Sequence, residues 1–348
     1  MNRRDLLLYA AASSGLALSK RAAAATPCPP SPISVAGGAP VTTACPAPGA
    51  AGDWTSRSTG SGVVQAIRFA NSTNVSKYTH MDGKQANVVF DGTDGIIGDG
   101  CLKMNVPRTD GSNSGNWRAP LNAAWTTDGQ GFGSTPFYVQ YRVKLGPNRL
   151  TPSIAGGGFK MCNTAGYTVS SPNSSESHTG NEFVVGNAFW RSSLLAYREH
   201  PVTGTTSFET TDNSGYIHFE TAVDHGASIS DPFARYCLYQ SGNASSGCWF
   251  FHEQEWFTIY YALHIVDYGG PGTGNAMDIY VARAGETVYT HLYNNRDFVI
   301  GSDPGYPLGV NGIWFLPYDT NRTSATYDTW QKYDQLVVST NPIACPQA

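Results

Sequence analysis

The chain has 348 residues, of which 14% are charged, with 38 Gly, 19 Tyr, 8 Trp and a formal net charge of −4. Nucleic-acid binding draws on clustered Lys and Arg, and no K/R-rich stretch occurs; stable membrane insertion needs an apolar run of roughly 18 residues or more, and none occurs. Few charges, many aromatic and β-branched residues and frequent Gly, Asn, Asp and Ser describe a β-rich domain long enough to bury one large core.

Residues 1–25, MNRRDLLLYAAASSGLALSKRAAAA, combine Arg3 and Arg4 with a short apolar stretch and an Ala-rich end. That is the layout of a cleaved export signal of the twin-arginine kind. It predicts a bacterial protein that is periplasmic or secreted. Removing the segment deletes Arg3, Arg4, Lys20 and Arg21 against Asp5, which takes the charge from −4 to −7. Residues 26–52, with TPCPPSP, AGGAP and CPAPGAAG, hold too little hydrophobic pattern to fold alone and read as a leader or strap. Residues 53–348 form the expected domain.

Short strands follow, separated by turn signals. The clearest is FYVQYRVKL, 137–145, with Phe137, Val139, Tyr141, Val143 and Leu145 toward a core and Gln140 and Arg142 on a face read as wet. WFTIYYALHIV, 256–266, sets Phe257, Ile259, Tyr261, Leu263 and Ile265 against a mixed row of Trp256, Thr258, Tyr260 and His264. MDIYVAR, 277–283, buries Met277, Ile279 and Val281 and turns Asp278 and Tyr280 the other way. Shorter strands are expected at 87–90, 101–106, 157–162, 181–187, 193–199, 312–316 and 334–340. Many antiparallel strands with long polar loops predict an all-β antiparallel sandwich of the jelly-roll type, one sheet curved into a concave groove.

The seven cysteines lack the CxxC spacing of a zinc site. In an exported protein disulfides are the default. Cys237 and Cys248 bracket a turn-rich loop and are the preferred pair; Cys28 and Cys45 pair with each other, or one of them pins Cys345. Cys101 or Cys162, each among apolar neighbours, is the expected buried thiol.

In their order, WRAPL (117–121), FYVQYRVKLGP, GGGFKMC, NEFVV, EWFTIYYALHI, IWFLPYDT and YDQLVVSTNPIACP resemble concanavalin A-like jelly-roll proteins, particularly secreted bacterial polysaccharide lyase-like members. The likeness runs over about residues 54–346. It implies a polysaccharide as partner and leaves activity open, since this fold hosts lyases, hydrolases and lectins. The Glu-x-Asp-x-x-Glu strand of laminarinase-like hydrolases is absent, as are the Arg-Ser-Glu-Leu, Gln-Ile-His and Tyr-Phe-Lys motifs of alginate-lyase-like enzymes.

β-Elimination beside a uronate carboxylate needs a group that neutralises the carboxylate, a base and an acid. Arg118, Lys160 and Arg198 suit the first role, His200 or His264 the second and Tyr197 or Tyr260 the third. Hydrolysis needs two carboxyl groups, with Glu182 the leading candidate and Asp278, Asp319 or Glu255 its partner. Binding without turnover needs rings and a few polar groups. Trp117, Trp190, Trp256, Tyr260, Tyr280, Trp314 and Tyr318 supply rings, and Gln140, Arg142 and Asp278 polar contacts. The polar run with Asp319, Asn321, Arg322 and Asp328 is longer than a hairpin needs and reads as a rim or lid, where calcium could take carboxylate oxygens. No cofactor is required. The expectation is an exported polysaccharide-degrading enzyme, β-elimination ahead of hydrolysis, with pure carbohydrate binding as a third reading.

Overall fold

The computed structural model describes residues 50–79, 83–110, 115–121, 136–149, 158–165, 182–188, 194–199, 253–264, 276–284, 290–296, 312–319, 327–344 and 346. They form α1 (Ala50–Ser58), β1 (Val63–Ile67), α2 (Ser72–Ser76), β2 (Val88–Asp91), β3 (Cys101–Val106), β4 (Trp117–Pro120) and β5 (Phe137–Leu145), then β6 (Gly158–Ala165), β7 (Glu182–Ala188) and β8 (Leu194–Glu199). β9 (Trp256–His264), β10 (Ala276–Arg283), β11 (Thr290–Arg296), β12 (Gly312–Phe315) and β13 (Thr329–Ser339) complete the order. α1 crosses the expected domain boundary at residue 53. Cys237, Cys248, Cys28, Cys45, Cys345, His200, Trp190, Asn321 and Arg322 lie outside the described residues.

The strands make two antiparallel sheets, the jelly-roll sandwich that the alternation predicts. The larger runs β11-β10-β9-β5-β13-β3-β2, and the smaller runs β4-β12-β6-β7-β8. β13 is the spine of the larger sheet. Its first half pairs with β3 and its second half with β1, while β5 runs along the other edge. The change of partner coincides with a bulge between Asp334 and Val337, where Gln335 adopts φ 51. An extra residue of this kind bends a strand and turns side chains to a new face.

The core lies between the sheets. From the larger sheet come Phe137, Val139, Tyr141, Phe257, Ile259, Tyr261, Ile279, Tyr333 and Leu336; from the smaller, Trp117, Ala119, Cys162, Ile313 and Phe315. Tyr333 stacks on Phe315 at 4.2 Å and 13°, and Trp117 also stacks on that ring, at 5.4 Å and 20°. The expected sugar platform Trp117 is therefore core: it is fully buried and its indole N–H donates to Val75 O at 3.1 Å. Phe69, Tyr78 and Phe315 pack against its ring and bury it more fully than a surface stack would.

One end of the core is closed by a buried polar network. Arg149 and Asp319, both fully buried, form an ion pair at 2.5 Å. Gln331 turns its amide oxygen to Arg149 Nε (3.0 Å) and Nη2 (2.6 Å) and its nitrogen to Tyr333 Oη, and the Tyr333 hydroxyl donates to Met161 O at 2.7 Å. Asp319 thus belongs to the interior, which corrects the lid, calcium and hydrolase roles expected of it. Its carboxylate is taken up by a guanidinium 170 residues earlier in the chain. Asp328, by contrast, is exposed and accepts from Arg108 N at 2.7 Å.

Removing one partner of a buried pair strands the other charge. Arg149→Met is expected to lower stability by about 3–5 kcal/mol, and the double change Arg149→Met with Asp319→Leu to recover most of it, as read from denaturant midpoints. Cys101 and Cys162 are both buried thiols. Burial pushes each up to about 12, so neither presents the reactive thiolate. Iodoacetamide should leave both unmodified in the native protein and alkylate both after unfolding, as mapped by peptide mass spectrometry.

Candidate active site on the outer face of the larger sheet

Register fixes which outward residues of the larger sheet are neighbours, because directly opposed residues share a face. Four transverse rows result. Lys103, Lys332, Lys144 and Trp256 form the first. Asp334, Arg142, Thr258 and Ala282 form the second. Val337, Gln140, Tyr260, Tyr280 and the position of His291 form the third. Ser339, Tyr138, Ala262, Asp278 and the position of Asn294 form the fourth. His264 follows one step beyond, opposite Ala276.

Seven of the predicted site residues thus share one face: Gln140, Arg142, Trp256, Tyr260, His264, Asp278 and Tyr280. Three tyrosines line up across it, Tyr138 stacked on Tyr260 at 6.2 Å and Tyr280 tilted against Tyr260 at 5.7 Å.

The face is covered, which corrects the wet face expected for β5. Gln140 is fully buried, Arg142 is 2% exposed, and Trp256, Tyr260, Asp278 and Tyr280 are also buried. Two segments distant in sequence roof it. Trp54 of α1 and Ile343 of the C-terminal tail pack on Tyr138, Tyr260, Tyr280 and Val337. Arg57 of α1 donates to Gln140 Oε1 at 2.6 Å and also to Gln335 Oε1, and Gln140 Nε2 donates to Ala344 O at 3.0 Å. Both ends of the Gln140 amide are therefore engaged by the roof. This corrects Gln140 from a sugar contact to an anchor for the two straps.

At the other end of the face, the loop between β2 and β3 folds back over the sheet. Its return is tight: a Cβ on Gly95 would lie 2.1 Å from Gly100 O, and Gly100, at φ 122, has the Phe90 ring where its own Cβ would point. Ile96 N donates to Asp334 Oδ2 at 3.1 Å and Gln335 N to Oδ1 at 2.7 Å. Burial outweighs these bonds and pushes the Asp334 carboxyl up to about 6.

The smaller sheet carries the remaining candidates. Arg118 of β4 stacks its guanidinium over Trp314 of β12 at 4.0 Å, and the Trp314 indole donates to Asn116 Oδ1 at 3.0 Å. Trp314 is buried beneath these partners, which corrects it as a ring offered to sugar. Lys160 stands over the Tyr318 ring at 5.3 Å. Glu182, Tyr197 and Arg198 occupy β7 and β8, their side chains outside the described set, with Glu182 in register with Glu199. Arg118, Lys160, Glu182 and Tyr197 are thus on one sheet and His264 on the other, so the lyase set expected from the sequence does not converge. No group of three or more His, Cys, Asp or Glu that could hold a metal ion occurs among the described residues, and no helix among them is long and apolar enough to cross a membrane.

Arg57, Tyr138, Asp334 and the position of His291 are added by the structure. Tyr138 had a legible signal, being the outward neighbour in a strand identified to the residue. THLYNNR, the sequence of β11, has too few apolar residues to announce a strand.

No family model matches the chain, and no curated protein matches it. Among solved structures it is similar to the marine PL-14 alginate lyase from Aplysia kurodai, with a TM-score of 0.52, 12% identity and coverage of 80% of this chain and 99% of that one. The alginate lyase vAL-1 from Chlorella virus gives a TM-score of 0.42 at 9% identity, covering 80% and 99%. The first likeness is one of fold.

Asp334 yields a pH signature. Its native form keeps its proton up to about pH 6, whereas the unfolded carboxyl releases it near 3.8. The stability it contributes is therefore full below about pH 4 and is lost as pH rises through 6. Urea midpoints are expected to fall by roughly 2–3 kcal/mol equivalent over that window, and Asp334→Asn to flatten the dependence.

Proposed function

We propose that the protein is a polysaccharide lyase that cleaves a uronate-containing glycan by β-elimination on the outer face of its larger sheet. The observation that carries this reading is the transverse row of Tyr260, Tyr280 and the His291 position, with Arg142 on the adjacent row of the same face. Arg142 would neutralise the uronate carboxylate and so acidify the neighbouring C–H. Tyr260 and Tyr280, reached by the glycan once Trp54 and Ile343 lift from them, would take that proton and return one to the leaving oxygen. His264, half-buried beyond the rows, would hold the sugar chain as it leaves the tyrosines. Shielding strengthens each of these interactions relative to water. The fold it shares with an alginate lyase supports the same reading.

Hydrolysis on this face is disfavoured by spacing. Its buried carboxyls, Asp278 and Asp334, stand on strands three places apart. That separation is about 14 Å before any offset along the strands, against the roughly 5–10 Å that hydrolysis uses. Hydrolysis on the smaller sheet is the second reading, favoured by the register pairing of Glu182 with Glu199. Export through a cleaved twin-arginine signal, with action in the periplasm or outside the cell, remains part of the proposal.

Purified protein lacking residues 1–25 should release unsaturated uronate, seen by its ultraviolet absorbance, together with new reducing ends, from one or more of alginate, glucuronan, pectate and hyaluronan. Tyr260→Phe and Tyr280→Phe should each lower kcat by about 10²–10⁴-fold with KM little changed. Reducing ends without unsaturation, abolished by Glu182→Gln, would replace this reading with hydrolysis. Binding without either product would leave a carbohydrate-binding protein.

A further inference from the structure

The first row of the outer face places Lys103, Lys332 and Lys144 side by side on three adjacent strands. Like charges directly opposed in a sheet repel, so this arrangement needs anions. They come from the β2–β3 loop region. Asp94 accepts from Lys144 Nζ at 2.8 and 3.1 Å and from Lys332 Nζ at 2.5 Å, and Asp91 pairs with Lys332 at 2.8 Å. Lys103 has no ion pair among the described residues, and Trp256 closes the row with its ring 5.9 Å from Lys144 Nζ. The asymmetry of exposure is informative. The lysines are the buried partners, at 6% for Lys332 and 15% for Lys144, and Asp94 is 34% exposed.

We propose that this lysine row is a subsite for a carboxylate of an acidic glycan, and that Asp94 fills it intramolecularly until the glycan displaces it. Asp94 presents to the two ammonium groups the same carboxylate that a uronate would present. It does so from a loop on the solvent side, where the Asp94 side chain, 34% exposed, can turn outward without breaking a strand pairing or the Ile96–Asp334 bond. Lys144 lies four residues from Gln140 on β5, which puts the subsite about 13 Å along the strand from the tyrosine row. A single oligosaccharide can span that distance. Asp91 stays in place and keeps Lys332 from being stranded when Asp94 leaves. Burial opposes the charge on Asp94, yet the hydrogen bonds from Lys144 and Lys332 hold its carboxyl below the ordinary range, as they would a bound uronate.

This inference rests on the lyase reading above and is tested separately from cleavage. The measurement is affinity electrophoresis in gels containing alginate, at low and high salt, with a neutral glucan gel as control. Tyr260→Phe is the parent, so that the polymer is not consumed. Adding Asp94→Asn should tighten retardation by alginate roughly threefold to tenfold, most strongly at low salt. Adding Lys144→Met, which leaves the Lys332 pairs intact, should weaken it. Retardation is taken relative to each protein's own migration in a polymer-free gel, which absorbs the one-unit charge change of each substitution, and neither should be retarded by the neutral glucan. Equal or weaker retardation of a folded Asp94→Asn protein, equal retardation after Lys144→Met, or no retardation of any form would overturn the subsite while leaving the cleavage assay to judge the tyrosine row. Should Asp94→Asn fail to fold, as judged by its thermal transition, Lys144→Met decides alone.

Discussion

Tyr333 joins the two sheets, and most of the architecture hangs on that contact. Its ring lies against Phe315 of the smaller sheet at 4.2 Å, and its hydroxyl reaches across to Met161 O. Through Gln331 the same hydroxyl is tied to Arg149, and through Arg149 to Asp319. An aromatic stack supplies area without direction, whereas the buried polar chain behind it has one low-energy arrangement. Together they set how the sheets lie against one another, and hence where the outer face of β5, β9 and β10 presents its rows.

That outer face is unusual for a surface. It holds Gln140, Arg142, Thr258, Asp278 and Asp334 out of water, and buried polar groups are costly unless bonded. Where the bonds are visible, much of the satisfaction comes from segments that add nothing to the sandwich itself: α1, the C-terminal tail and the β2–β3 loop. A face kept polar and dry by segments from outside the sandwich is suited to charge-stabilising chemistry.

Much of the sandwich was legible in the sequence because inward residues announce themselves by alternation. Phe137 to Leu145 was read to the residue, as was CLKMNV at Cys101–Val106. The failures share a cause. Alternation reports the chemistry of a side chain and not what covers it, so Gln140 and Arg142 read as wet although α1 and the tail lie over this face. β13 begins at Thr329, five residues before the predicted start, because TWQKY is polar for a strand; its Gln331 and Lys332 find partners only in three dimensions. Trp117 and Trp314 looked like platforms since any Trp does. Only the neighbours, Phe315 and Arg118, tell a core ring from a capped one.

The placement of β13 also governs when the molecule can exist at all. β13, the last strand among the described residues, fills the middle of the larger sheet, between β5 and β3, and the segment beyond it holds Gln140. Until β13 is in place, the β5 half and the β3 half of the sheet have no common edge. Closure of the larger sheet is therefore a non-local step, of the kind that is intrinsically slow. A truncation anywhere before residue 329 leaves β5 and β3 without the strand that joins them, however much of the sequence precedes it.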